Sequence, residues 1–286
     1  MTMILQKVLG SDKNVQQGSD SYINDIAVNL DVVSCEKVMK TLNSFGLVAK
    51  DPEYLENCRI LGLRVQKEKG LFKWRRDNEA PNFDSVLTRR DLFSLCGKLV
   101  GHYPRVGWLR PACSYIKRMS NELNWDDQLS GKVPFLVKNL KKREDKCDPL
   151  GGLWNVSETK SGRIWCDASS LASGVVVEID GVIVEDQCWL RKNDDGAHIN
   201  VAELEAVVKG IWFADKWNLR DVEILTDSSS VYAWLRSIIG HDQKVKTCGL
   251  NEIIVRQRLE LLRTCFEECG LNAKVTLVPS HENKAD

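Results

Sequence analysis

The stretch RIWCDASSLASGVVV, residues 163–177, runs an apolar strand straight into a carboxylate, Asp167, and starts a second strand at once. Such a run reads as the central strand of a layered α/β sheet, buried on both faces. A carboxylate at its tip must be paired, hydrogen-bonded or bound to a metal, because burying it alone is costly. Strands over 162–167, 173–179 and 182–190 follow one another, the last two joined by the two-residue hairpin turn Asp180-Gly181. A helix over 200–217 carries the apolar stripe Val201, Leu204, Val208 and Ile211. DVEILT (221–226) is a fourth strand, DSSSVYAWLRSII opens a second helix, 250–268 forms a third, and AKVTLVP is a fifth strand. The order β-β-β-α-β-α-α-β predicts a mixed five-stranded sheet: an antiparallel meander, then right-handed crossovers that add parallel strands beside the first.

The first half has a different texture. Residues 1–20 read as a helix fragment and a polar turn, GSDKNVQQGSD. SYINDIAVNL alternates like a hairpin with Asn24-Asp25 in its turn, and VVSCEKVMKTLNSFGLVAK reads as a helix carrying Val38, Leu42 and Leu47 and closed near Gly46. CRILGLRVQKEKGLFKWRR is a strand–turn–strand with its turn at KEKG. Beyond it the pattern is helical: Leu92, Leu95 and Leu99 share one stripe, and Pro104 and Pro111 are expected to break the run. VPFLVKNLKKREDKCDPLGGLW reads as a last helix followed by a linker, placing a boundary near 150–160.

At 286 residues, 43% hydrophobic and 28% charged, the chain has ample apolar material for a core. Its formal net charge is zero, so any preference for nucleic acid must be local. Ten cysteines without a C-x-x-C pair, and with no secretory signal, point to reduced thiols in an intracellular protein, with cytoplasm and nucleus not distinguished. No stretch approaches the roughly 18–20 apolar residues of a membrane span.

Asp167 ends the first strand and Asp227 the fourth; in an open α/β sheet those carboxyl ends are neighbours, where strand order reverses. Glu203, expected in the first turn of the intervening helix, points back at the same crevice, and Asp286 follows the fifth strand after PSHENK. Four converging carboxylates without matching cations would repel one another, and hard divalent cations resolve that conflict. Two such ions roughly 3.5–4 Å apart would activate a water and stabilise a departing phosphodiester oxygen. The alternative for Asp167 and Asp227 is that DASS and DSSS are helix N-caps.

WCDAS, INVAELEAV, LTDSSSV and VPSHENKAD resemble, in order, the four motifs of the type 1 ribonuclease H domain fused to reverse transcriptases of LTR retrotransposons. The resemblance covers about 160–286 and implies a ribonuclease H-like α/β fold lacking its last helix, and a substrate that is an RNA·DNA hybrid. It makes Asp167, Glu203, Asp227 and Asp286 the ligands of two Mg²⁺ ions, with Mn²⁺ as a substitute, and selects Glu203 over Glu205 as the Glu after the Ala of AEL. No membrane and no small-molecule cofactor is implied. His281 corresponds to a His thought to assist proton transfer or product release, although only ENKA separates it from Asp286 where retroviral relatives have a longer loop. The basic handle helix of free-standing bacterial relatives has no counterpart in GHDQKVKTCG (240–249).

SYINDIAVNLD resembles the Y-x-D-D hairpin of a reverse-transcriptase palm, ILGLRVQKEKGLFKW its primer-grip hairpin, and the segment from LTRRDLFSLCGKLVG onward the thumb and connection. The implied domains are a partial α+β palm (1–77), a helical thumb/connection (78–150) and the ribonuclease H-like domain (151–286). The family's first catalytic Asp is Asn24 here, a poorer Mg²⁺ ligand, and barely 20 residues precede the hairpin, so polymerase activity is not expected. Lys73, Trp74, Arg75 and Arg76, with Lys138, Lys141, Lys142 and Arg143, are the candidate contacts to nucleic-acid phosphates, against the plain reading of a solvated charged surface. Two functional readings follow, a hybrid-specific nuclease and an inactive retroelement remnant that at most binds nucleic acid. A transposase-type nuclease would need a late helical Glu that the sequence does not place.

Overall fold

Short turns with left-handed residues set the strand pairings. Lys69 and Gly70 (φ 51° and 82°) and Asp180 and Gly181 (φ 49° and 79°) form two-residue turns whose twist matches that of the flanking strands. The computed structural model describes residues 2–77, 82–101, 103–154, 159–192, 198–240 and 252–286. His102, His241 and most of GHDQKVKTCG lie outside the described residues. The chain divides into two units, Met1–Asn78 and Glu79–Asp286.

In the first unit, helices α1 (Thr2–Leu9) and α2 (Lys13–Gly18) precede the hairpin β1 (Ser19–Tyr22)–β2 (Asp25–Val28) and helix α3 (Cys35–Ser44). The polar segment expected as a turn is helical at α2: the Asp12 carboxylate accepts from Asn14 N and Val15 N, and a fully buried Val15 anchors the turn to the core of Leu5, Val8, Leu9, Val38 and Leu42. Tyr22 pairs with Asp25, so the hairpin turn is Ile23-Asn24, one residue earlier than expected. The Asp25 carboxylate accepts from Leu61 N at 3.0 Å. Three further strands, β3 (Arg59–Ile60), β4 (Leu63–Glu68) and β5 (Leu71–Arg76), pair antiparallel in sequence order.

The second unit opens with helices α4 (Arg89–Val100), α5 (Leu109–Met119) and α6 (Val133–Lys146) and the short strand β6 (Gly152–Leu153). Thr88 and Asp91 form a capping box at the start of α4. Pro111 does not break a helix; it occupies the first turn of α5, where a missing N–H costs nothing. There follow β7 (Ser161–Ala168), β8 (Ala172–Ile179), β9 (Val182–Leu190), α7 (Ile199–Lys216), β10 (Asp221–Thr226), α8 (Ser229–Ile239), α9 (Glu252–Glu268) and β11 (Asn272–Leu277). These five longer strands form one sheet in the order β11-β10-β7-β8-β9, with β7, β8 and β9 antiparallel and β10 and β11 parallel to β7, as the sequence predicts.

Helix α7 lies across one face of that sheet. Its Val201, Leu204, Val207 and Ile211 pack with Ile164, Cys166, Val175 and Val177, and fully burying each large side chain stabilises the fold by roughly 1.5–3 kcal/mol. Gly210 sets the approach: a Cβ there would stand 2.5 Å from Ile164 Cγ2 and 3.0 Å from Cys166 Sγ. Glu203, seven residues earlier, lies on the same helical face and is carried toward β7 with it. The opposite face of the sheet holds a smaller core of Trp165, Val176 and Leu225, with Val278 and Ala285 packed against it.

The buried Asp186 of β9 joins this sheet to the segment before α5. Its Oδ2 accepts from Val106 N (2.8 Å) and Gly107 N (2.6 Å), its Oδ1 pairs with Arg110 Nε (3.3 Å), and its own N donates to Pro104 O.

Candidate metal centre

Parallel pairing brings two strand tips together. Leu225 stands beside Trp165 in the β10–β7 register, so two residues on, Asp227 and Asp167 leave neighbouring strands at the same end. Helix α7 then delivers Glu203, its fifth residue and therefore past the first turn where the sequence placed it. One carboxylate oxygen from each of Asp167, Glu203 and Asp227 lies within 4.8 Å of the others.

The capping alternative does not hold. Ser228, not Asp227, caps α8 through its side chain, and Asp167 lies inside β7, which turns directly into β8. His198 does serve as a cap, its Nδ1 accepting from Asn200 N at the start of α7.

The cluster is electrostatically unfavourable as it stands. Burial, then the charges of Asp167 and Asp227, push the Glu203 carboxyl up to about 8, while the Ala168 N–H facing it pulls the other way. Burial, then the charges of Asp227 and Asp286, push Asp167 up to about 6, against the same N–H. Glu203 is 8% exposed, and its Oε2 has no hydrogen-bond partner. A buried carboxylate oxygen without a donor, facing two further carboxylates, suits a hard divalent cation.

These shifts define a stability window. Folded Glu203 keeps its proton up to pH ~8 whereas the unfolded group releases it near its ordinary value, so between the two the folded state binds more protons and stability falls as pH rises. In EDTA, Glu203→Gln is expected to raise stability at pH 8 by ~1–3 kcal/mol and to change it far less at pH 5, read from urea denaturation. A variant no more stable than the parent at pH 8 would contradict the burial and charge assigned to Glu203.

Asp286 lies outside the trio and is exposed, yet near enough for its charge to act on Asp167. His281 is also exposed, in a 3₁₀ turn over Ser280–Glu282, with Nε2 3.7 Å from Glu282 Oε1. Two residues not singled out in the sequence touch the cluster. Ser280 Oγ donates to Asp227 Oδ2 (2.5 Å), and Asn283 Nδ2 donates to Cys166 O (3.0 Å) and Asp227 Oδ1 (3.4 Å). The signal available was only that both fall within the last motif, PSHENKAD.

The run Lys73, Trp74, Arg75, Arg76 is divided by strand alternation. Lys73 and Arg75 are exposed, and Lys73 pairs with Glu68 at 2.8 Å. Trp74 is only 7% exposed and sits opposite the buried Val65, so it belongs to the hairpin's core rather than to a contact surface. Arg76 shares its side of the strand. On α6, Lys141 is bound to Asp84 (3.0 Å) and Arg143 stacks on Trp108 (4.3 Å to the ring centre), while Lys142 is exposed. Among the described residues no helix is long and apolar enough to cross a membrane.

Residues 167–272 match the family described as reverse transcriptase-like, and residues 88–144 match a domain of unknown function (DUF7047). No curated protein shows a significant match to the sequence. Among solved structures, the foamy viral protease-reverse transcriptase in complex with an RNA/DNA hybrid superimposes with a TM-score of 0.68 at 13% identity, over 99% of this chain and 38% of that one. A second foamy viral protease-reverse transcriptase structure, bound to double-stranded DNA, gives 0.63 at 11% identity, over 98% of this chain and 49% of that one. This chain thus spans half or less of the length of those two proteins. The mixed five-stranded sheet with its helices belongs to the fold shared with those structures, and the reverse transcriptase-like family match falls on the part of the chain that carries it.

Proposed function

We propose that this chain, built on the fold of a reverse transcriptase–ribonuclease H segment, is a divalent-cation-dependent nuclease that hydrolyses the RNA strand of RNA·DNA hybrids. The observation that carries the reading is the convergence of Asp167, Glu203 and Asp227 from three separate elements to within 4.8 Å, with Glu203 Oε2 buried and unpartnered. In this reading Asp167, Glu203 and Asp227 hold Mg²⁺, or Mn²⁺ in its place, with Asp286 completing the set. Bound there, the cation supplies Lewis-acid polarisation of a phosphoryl oxygen and lowers the pKa of a coordinated water.

The chain's own residues do the rest. The strand tips of β7 and β10 fix two carboxylates before substrate arrives, so little reorganisation remains at the moment of reaction. Ser280 and Asn283 hold the Asp227 carboxylate in one orientation. His281 presents an exposed imidazole on the same loop, able to take or give a proton at Nε2. Lys73, Arg75 and Lys142 are exposed cations for backbone phosphates, and Lys141, Arg143 and Arg76 are secondary to them. Trp74, buried, supports the hairpin that carries Lys73 and Arg75. In the N-terminal part, Asn24 replaces a carboxylate and Asp25 is occupied by Leu61 N, so no polymerase activity is proposed.

A labelled RNA·DNA hybrid tests the reading directly. The full chain is expected to cut the RNA strand in Mg²⁺ or Mn²⁺ and not in EDTA, and to spare single-stranded RNA and double-stranded DNA. Salt-sensitive binding of the hybrid without divalent-dependent cutting would refute the nuclease assignment and leave the nucleic-acid-binding remnant.

A further inference from the structure

The fourth carboxylate poses a problem of placement. Asp286 is exposed, follows β11 by a loop, and is not among the three carboxylates that already meet. Something must hold its segment against the strand tips. We propose that Asn283 is the positioning residue that clamps the 283–286 segment across β7 and β10 and so presents Asp286 to the carboxylate cluster; this rests on the metal-dependent reading above.

Asn283 is 6% exposed and uses both ends of its amide. Nδ2 spans the two strand tips, donating to Cys166 O beside Asp167 and to Asp227 Oδ1. Oδ1 accepts from Ala285 N at 3.2 Å, and the Asn283 carbonyl accepts from Asp286 N at 3.3 Å. A single buried side chain therefore ties the backbone on either side of Lys284 to the strands that bear the first and third carboxylates. Strand β8 supplies the floor: Gly174 pairs with Asp167, and a Cβ at Gly174 would lie 2.5 Å from Ala285 O. Lys284 adds a second tether, its Nζ donating to the buried Glu178 Oε2 (2.5 Å) and lying 5.0 Å from the Trp165 ring centre.

The clamp is testable without turnover. Titration of the full chain with Mn²⁺ alone by isothermal calorimetry is expected to show ~10-fold weaker binding in Asn283→Ser, in line with the usual effect of removing a group that orients a ligand. Serine can still accept from Ala285 N, so the local turn survives while the bridge to Cys166 O and Asp227 is lost. Gly174→Ala, which pushes on Ala285 from a different element, should produce the same weakening and serves if Asn283→Ser does not fold. In an Asp286→Asn background Gly174→Ala should change affinity by no more than about twofold, because it acts through Asp286, and Asn283→Ser should weaken binding clearly less than in the parent, only its hydrogen bond to Asp227 then counting.

Unchanged Mn²⁺ affinity in Asn283→Ser, together with weakened affinity in Asp286→Asn, would overturn the clamp and leave the metal-dependent reading standing. Equal weakening in both backgrounds would also overturn it, by showing that Asn283 acts elsewhere. No Mn²⁺ binding by the parent chain would remove the underlying reading itself.

Discussion

Asp167→Asn is expected to slow RNA-strand cleavage by ~10³-fold or more, about 4 kcal/mol of transition-state stabilisation, with no loss of folding stability. Asp167 sits at the tip of the central strand, its charge reaches Glu203, and the charges of Asp227 and Asp286 reach it in turn. An amide keeps the shape and one oxygen but removes the charge that a hard cation needs. Metal-free stability should hold or rise, because one of several repelling carboxylates is gone. Single-turnover cleavage of a labelled hybrid, with thermal melting in EDTA, separates the two effects. A variant retaining a tenth or more of the parent rate would remove Asp167 from the reaction.

The largest effect on stability is expected at Asp186→Ala, about 3–5 kcal/mol. Asp186 is 7% exposed and takes two backbone N–H donors and the Arg110 guanidinium, itself largely buried. Deleting the carboxylate leaves Val106 N and Gly107 N unsatisfied and strands a buried cation, the costly half of breaking a buried pair. Asp186→Asn retains an acceptor and should cost markedly less. Because Asp186 joins β9 to the segment before α5, urea denaturation of Asp186→Ala should show either a lower midpoint or a transition split in two. A midpoint shift worth under about 1 kcal/mol would mean that the knot is dispensable.

Much of the second unit was legible because its signals are local. Strand β9 and strand β10 fall on the expected residues, and the Asp180-Gly181 turn forms as its composition requires. Errors arose where a local signal had two outcomes. The polar 10–20 segment contained a cap and one apolar anchor, enough for the short helix α2, and Pro111 proved compatible with a helix because it falls in the first turn. The basic run at 73–76 looked like one patch in one dimension, but a period of two splits it between the faces of a strand.

The residue order of the chain was enough for the order of strands and helices around the five-stranded sheet, its mixed topology and the meeting of three carboxylates, because period, turn chemistry and strand-end position are properties of short segments. It could not supply the burial of Glu203, the closeness of α7 to β7 at Gly210, or the use of Asn283 and Ser280 around Asp227. Those depend on which segments come within a few ångströms of one another across wide sequence gaps, 53 residues between Ser280 and Asp227 and 56 between Asn283 and Asp227. Desolvation and like-charge repulsion, the two forces that make this cluster unusual, exist only once that packing has excluded water from it.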